Sequence, residues 1–300
     1  MTLLQWLIQH NPGVSRTTLR AMIGRGRVSV NGQIVRRAAH EVGAEDQIRV
    51  SARQRAAAET VDARSSIGPL KIVYEDADVL VVIKPAGLLT STVPRERRPT
   101  AIALVRRYLA QSQPSARAGV VHRLDRDASG LLVFSKNHAA HQHLKRQFFR
   151  HTVRRTYSAI VHGVPEPRSG RIESRLSEAP DGSVRSTRRP GRGRTAVTRY
   201  QVLAVLAGGR SLLSVTLETG RKHQIRAHLA ERGHPVVNDT VYGSGSPKTG
   251  RLMLAATGLA FEHPRTGRPM EFQIPPPPEM QSMIAASTPT AGPQHRSEPA

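Results

Sequence analysis

The chain has 300 residues and carries 45 Lys and Arg against 22 Asp and Glu, a formal charge of +23. Such a charge is most simply accounted for by a polyanionic partner; an anionic membrane surface or an Arg-rich source proteome would also account for it. Cysteine is absent, which excludes disulfides and thiolate zinc sites, and an aromatic share of 4% argues against a stacking platform for single strands as the main binding device.

In chain order, Leu3, Leu4, Leu7 and Ile8 recur at helical spacing, with Trp6 beside them. Ser15 can cap a second helix whose apolar positions are Leu19, Met22 and Ile23. Arg16, Arg20, Arg25 and Arg27 lie along this helix and just beyond it. Val28–Val30, then Asn31-Gly32, then Ile34-Val35 is a hairpin signal, and Ile48 and Val50 belong to a closing strand. Read by charge alone, the four arginines are a solvated basic face. Two short helices, a basic turn and a hairpin resemble the alpha-L RNA-binding domain. That resemblance implies a module over residues 1–50 whose guanidinium groups meet phosphate. Residues 51–69 have no apolar periodicity and read as a flexible linker.

Lys71–Tyr74 and Val79–Ile83 read as a second hairpin, broken by Lys84-Pro85-Ala86-Gly87. Thr100 caps a predicted helix carrying Ile102, Leu104, Val105 and Leu109. The stretch His122-Arg123-Leu124-Asp125-Arg126-Asp127-Ala128-Ser129-Gly130 then leads into Leu131–Phe134, a short apolar run that reads as a strand buried on both faces. Gly130 lets backbone approach closely. A carboxylate at the mouth of a core strand is costly unless paired or used. By spacing alone, Asp125 is either half of a structural ion pair or a reactive acid. Asn137 can cap a helix with Ala140, Leu144 and Phe148 on one face and His141, His143, Lys145, Arg146 and Arg150 on the others. His138, His141 and His143 are not read as a metal site. His141 and His143 diverge by about 200° on a helix, and no further ligands stand nearby.

Val153–Val161 alternates into a strand containing Tyr157, which by pattern alone is a half-buried core tyrosine. Residues 181–195 hold Arg185, Arg188, Arg189, Arg192 and Arg194 among Gly and Pro, and read as a mobile basic loop suited to phosphate. Tyr200, Val202, Ala204 and Leu206 alternate, as do Leu213, Val215 and Leu217. Thr219–Leu229 is a strand-to-helix junction with Ile225 and Leu229 facing the core. Gly233 and Pro235 mark the end of the helix. Residues 275–300 open with prolines and read as a disordered tail.

The stretch from His122 to Leu132 is similar to the signature of the RluA/RluD-type pseudouridine synthases. Arg154–Gly163 and Thr219–Leu229 resemble the second and third motifs of that family, and the match runs over residues 70–274. Three motifs in order are far more specific than any one alone. The resemblance implies that Asp125 is the catalytic nucleophile and that Arg123 displaces the target base. It implies that Tyr157 stacks on the uracil and accepts a proton, and that Arg226 pairs with Asp125. Arg221 and His223 fall to substrate binding. Four positions depart from the family pattern: Ile83 replaces Asn, Ala128 replaces Thr, Asn238 replaces Gly and Ala255 replaces His.

The implied fold is α+β, with a largely antiparallel mixed central sheet flanked by helices and loops, and a small α/β module before it. The implied reaction breaks the ribose–nitrogen bond of a uridine in structured RNA (rRNA ahead of tRNA), turns the base and rejoins it through carbon. The carboxylate must be ionised, and a cation nearby favours that form. The base must be flipped out of its helix, at roughly a few kcal/mol. No redox change occurs, so neither cofactor nor metal is expected. Nothing in the chain reads as a secretory leader or a transmembrane span. The expected protein is a cytoplasmic monomer without an obligate protein partner. A non-catalytic RNA-binding or ribosome-assembly factor on the same fold is the alternative. A glycosidase-like hydrolase would need a second placed carboxylate where the neighbourhood is Arg-rich instead, and Asp127 is the rival acid to Asp125.

Overall fold

The computed structural model describes residues 1–11, 16–24, 28–43, 45–50, 59–60, 65–92, 97–243 and 250–287. The chain divides into two compact units, Met1–Ala57 and Ala58–Ala300. No helix among the described residues is long and apolar enough to cross a membrane.

The first unit begins with α1 (Leu3–His10) and α2 (Arg16–Gly24). Thr2 caps α1 by accepting the Gln5 amide, and Gln5 reaches back to the Thr2 amide, so two otherwise orphaned donors are satisfied reciprocally. β1 (Val28–Val30), β2 (Gln33–Val35) and β3 (Ile48–Val50) form an antiparallel sheet with β1 in the middle. Asn31 and Gly32 both have positive φ, as a two-residue hairpin turn requires. Leu3, Leu4, Leu7, Leu19, Ile23, Val28, Val30 and Val42 make its core. Ile8 turns outward instead. Arg16 and Arg20 are exposed on α2, whereas Ser15, Arg25 and Arg27 lie outside the described residues.

The second unit contains β4 (Glu59–Thr60), β5 (Ser65–Ile67), β6 (Leu70–Glu75), β7 (Val79–Lys84), α3 (Ala101–Ser112), β8 (Gly119–Val120), β9 (Ser129–Ser135), α4 (His138–Phe149), β10 (Arg154–His162), β11 (Ser169–Glu178), β12 (Val184–Ser186), β13 (Arg194–Leu206), β14 (Arg210–Leu217), α5 (Gln224–Glu231), β15 (Leu254–Glu262), β16 (Pro269–Gln273) and α6 (Pro278–Ala285). The sheet runs β12-β11-β13-β14-β10-β15-β9-β7-β6-β5, with β8 beside β9, β16 beside β15 and β4 beside β16. Its pairings are antiparallel except β9 with β15 and β4 with β16. Thr100 and Asn137 cap α3 and α4 by accepting the amides of Ala103 and Ala140.

β9 is buried along its whole length, and its residues alternate between two cores. Leu132 and Phe134 face the cluster that holds Ile102, Val105 and Leu109 of α3. Leu131 and Val133 face the cluster that holds Leu144 of α4 and Phe261 of β15. A strand buried on both faces needs this uninterrupted apolar run.

Three expectations change. Ser65–Ile67, inside the predicted linker 51–69, is strand β5 paired with β6, and Glu59–Thr60 pairs with β16. The predicted tail 275–300 contains α6, because Met280, Met283 and Ile284 share a helix face behind the prolines. Met280 is fully buried, and residues 288–300 lie outside the described residues. The basic stretch 181–195 is part strand: Val184 is buried, β12 closes a hairpin on β11, and Arg194 already belongs to β13.

β9 and β15 meet at Gly130, opposite Ala256. Gly130 has φ +116°, and a Cβ there would stand 2.2 Å from the Ala256 carbonyl oxygen. Substitution therefore strains the backbone and also drives two strands apart at the mouth of the cleft described below. Gly130→Ala is expected to destabilise the second unit by roughly 3 kcal/mol or more, read as a fall in the urea midpoint.

Candidate active site

A cleft of about 700 Å³ opens beside the N-terminal end of β9. Its walls come from the 120–128 segment, the end of α4, the start of β10 and the β14–α5 junction. Leu124, Leu217, Ile225, Leu254 and Phe148 give it an apolar lining. Arg123, Lys145, Arg155, Arg221 and Lys222 give it positive charge, and among the described residues Asp125 is its only acid.

Asp125 sits in the turn before β9, between two backbone anchors. Thr90, itself buried, bonds both backbone groups of Leu124: its hydroxyl donates to the carbonyl at 2.9 Å and accepts the amide at 3.1 Å. On the other side, the Arg126 carbonyl accepts from the Gly87 amide and from Lys84 Nζ, both at 2.9 Å. Lys84 is fully buried and also donates to the carbonyls of Pro85 and Leu88. Burial pushes its pKa down to about 7, against the pull of Asp125 and Asp127. The end of β7 and the segment after it thus grip the acid-bearing turn from both sides. Asp127 is instead paired with Arg126 near the surface, at 3.0 Å.

Arg226 enters from α5 and is 3% exposed. Its Nε and Nη2 each donate to a carboxylate oxygen of Asp239 at 2.7 Å, and Nη1 lies 3.5 Å from Asp125 Oδ2. Asp239 also accepts the amides of Val241 and Tyr242, and the Arg226 guanidinium sits 5.3 Å from the Tyr242 ring centroid. Burial disfavours both charges, but the pairing outweighs it: the Arg226 pKa is raised and that of Asp239 is lowered. One guanidinium therefore serves two carboxylates, and the better-made bond is to Asp239. Asp239 is outside the set of site residues read from the sequence, because it stands thirteen positions from Arg226 in a loop without periodic pattern.

Tyr157 projects from β10 into the cleft and is 6% exposed, and its hydroxyl has no hydrogen bond among the described residues. Burial raises its pKa, Arg155 acts in the opposite direction, and Asp125 adds to the rise. His223 stands at the start of α5 with φ 52° and bonds Tyr242 through Nδ1 at 3.1 Å. Burial lowers its pKa although Asp125 pulls the other way. Arg221 lines the cleft with its Nε on the Thr195 carbonyl. Arg123 is exposed at the lip, with no ion pair among the described residues. His122 lies behind it, accepts the Val133 amide at 3.1 Å and stacks on Phe148; burial takes its pKa down to about 3, so it is neutral near pH 7. Arg16 and Arg20 belong to the first unit, and Arg25 and Arg27 lie outside the described residues.

The helical histidines of α4 are used separately: His141 bonds Ser135 and His143 bonds Gln147. The described residues do bring Asp76, Asp78 and His263 together, outside the cleft lining. Their polar atoms already bond one another and Tyr74, Asn137 and Arg265, so the trio reads as a structural network.

Breaking a buried pair by removing one charge costs about 3–5 kcal/mol. Asp239→Asn is expected to lose stability on that scale in chemical denaturation. Because the Asp239 pKa is lowered in the folded state, its contribution is present above the reference value of 3.8 and is lost as pH falls through the folded value. The wild-type protein should therefore lose more stability than Asp239→Asn when the pH is taken below that value.

Residues 78–231 match the family of RNA pseudouridylate synthases, and residues 1–48 match the S4 domain. The chain is 33% identical to the chloroplastic RNA pseudouridine synthase 2 of Arabidopsis thaliana, over 93% of this chain and 78% of that one. It is also 33% identical to the ribosomal large subunit pseudouridine synthase D of Neisseria meningitidis serogroup A, over 94% and 77%. The structure of human RNA pseudouridylate synthase domain containing 1 superposes with a TM-score of 0.59 at 28% identity, covering 75% of this chain and 91% of that one. The domain containing 4 protein gives 0.61 at 20% identity over 72% and 92%, a likeness of fold. The chain belongs to the RNA pseudouridylate synthase family, an enzyme family, and carries an S4 domain in its first 48 residues.

Proposed function

We propose that this enzyme isomerises particular uridines of structured RNA to pseudouridine, with Asp125 as the nucleophile. The observation that carries the reading is a carboxylate that is, among the described residues, the single acid of a cleft rich in Arg and Lys, with Arg226 at 3.5 Å and Tyr157 on the neighbouring wall. A hydrolase of the glycosidase type needs two carboxylates across the bond. In this reading Asp125 attacks the sugar and the bond from C1′ to N1 breaks. The base turns within the cleft, C1′ joins C5 as the bond from C1′ to Asp125 breaks, N1 takes the phenol proton of Tyr157, and the resulting phenolate takes the proton from C5. The product is an isomer, so no oxidant or co-reactant enters. The raised pKa of Tyr157 means that it rests as the neutral phenol and must give up a proton before it can accept one. Arg226 Nη1 orients Asp125 from 3.5 Å, and Asp239 keeps Arg226 in place.

Arg123, exposed at the lip, is suited to fill the gap left by a flipped base, since a planar guanidinium stacks as well as binds phosphate. Arg221 and His223 border the same cleft and are assigned to the nucleotide. Arg16 and Arg20, with Arg25 and Arg27, supply phosphate contacts from the S4 unit. Ribosomal RNA is the favoured substrate because the Neisseria relative is named for the large ribosomal subunit. A cytoplasmic monomer completes the reading, although relatives in plants carry a chloroplast designation.

Site-by-site mapping of pseudouridine in cellular RNA, with and without the protein, tests this. Asp125→Asn keeps shape and hydrogen bonding but removes the nucleophile. Its product should fall to the uncatalysed background while RNA affinity persists in a filter-binding assay. Turnover near the wild-type rate would refute the mechanism. Deleting residues 1–57 should weaken binding and flatten its salt dependence by roughly 0.7–0.9 in log K against log salt for each phosphate no longer bound. Turnover at saturating RNA should be kept, because uniform binding energy acts on KM.

A further inference from the structure

Arg155 is unlike the other buried cations of this molecule. Arg226 has two carboxylates, Lys136 has Glu75, and Lys84 has three carbonyls. Arg155 is 8% exposed and lines the cleft, yet among the described residues no oxygen accepts from its guanidinium, and its Nε is buried without a partner. Burial lowers its pKa from the usual arginine value, partly countered by Tyr157.

Its surroundings hold it in place without neutralising it. The guanidinium carbon lies 5.6 Å from the Phe148 ring centroid, and that ring stacks on His122 at 4.7 Å. A neutral His122 offers no negative charge. Nη1 rests against Gly220, where a Cβ would come within 2.5 Å, so the missing side chain leaves room for the guanidinium tip at the edge of the cleft. Gly220 is itself exposed, which brings this edge within reach of solvent and of a ligand. Arg155 and Tyr157 are two apart on β10 and both line the cleft.

A desolvated cation without a counter-charge is destabilising unless its partner arrives with the ligand. A planar fork of donors matches two oxygens of a phosphate, and a neutral base carbonyl would leave the charge uncompensated. We infer that Arg155 is a receptor for one phosphodiester of the bound RNA, which enters the cleft beside the target nucleotide and supplies the missing charge. This rests on the RNA-isomerase reading above and adds a fixed anchor that orients the nucleotide over Tyr157 and Asp125.

The test uses the full chain and two readouts. Arg155→Met keeps length and removes charge. Its melting temperature should rise by about 2–4 °C, the shift expected for a modest gain in a chain of this size. A purely structural arginine would give a fall, and a variant that fails to fold would overturn the inference outright. The second readout is binding of uridine trinucleotides in which one phosphodiester at a time is replaced by an uncharged methylphosphonate. Wild type should lose about 10- to 100-fold in affinity at one linkage, the scale of a charged hydrogen bond, while Arg155→Met shows no added loss at that linkage. Gly220→Ala keeps the charge but displaces the guanidinium tip, and should weaken binding at the same linkage. Losses that are equal at both linkages, or unchanged by Arg155→Met, would overturn the assignment. Pseudouridine formation on cellular RNA is followed in parallel. Conversion without this coupling rejects the phosphate receptor alone, whereas coupling without conversion rejects the isomerase reading and keeps the receptor.

Discussion

The site depends on one guanidinium shared between two acids. Arg226 is buried, and taking its charge out of water is tolerable because Asp239 accepts two bonds from it at 2.7 Å. Asp239 is in turn held by two backbone amides. The pair is therefore a rigid unit, and the third donor of the fork is left pointing at Asp125. Asp125 remains partly exposed, with a longer contact than the one Asp239 enjoys. A carboxylate that is steadied but not used up fits the nucleophile's part in the proposed reaction.

The backbone around Asp125 is as constrained as its charge. Thr90 holds Leu124, while Lys84 and the Gly87 amide hold Arg126, so the residues on both sides of the acid are pinned from the end of β7 and the segment that follows it. Behind the turn, β9 presses against β15 at a glycine with no room for a side chain. Among the described residues Lys84 pairs with no acid; three carbonyls accept from it, and burial pushes its pKa down to about 7. Its burial is understandable as the cost of fixing a turn rather than of making an ion pair.

Charge is distributed on two scales. The whole chain is strongly basic, which favours approach of a polyanion from a distance. In and behind the cleft, the described cations are of different kinds: Arg226 is neutralised, Arg221 bonds a carbonyl, Arg123 is solvated, and Arg155 is desolvated and unmatched. Long-range attraction needs only the first scale. Orientation of a nucleotide needs the second, because a bond is strong where water has been removed before the ligand arrives.

Sequence patterning determined the elements whose physics is local. The apolar run of β9, the Thr100 and Asn137 caps, the Asn31-Gly32 turn and the alternation of β13 and β14 each follow from residues within one or two turns of chain. Three motifs in order likewise named Asp125, Tyr157 and Arg226 as candidates. What misled the reading was composition. Prolines hid the apolar face of α6, arginines hid the buried Val184 of β12, and a bland linker hid β5. Only the tertiary structure decided the partners. Asp239 meets Arg226, Lys84 meets Arg126, and Arg155 meets no acceptor among the described residues, because each outcome rests on which distant strands and loops converge and on how much water they leave behind. Burial and pairing between residues far apart in the chain have no periodicity along it, so no pattern in the sequence announces them.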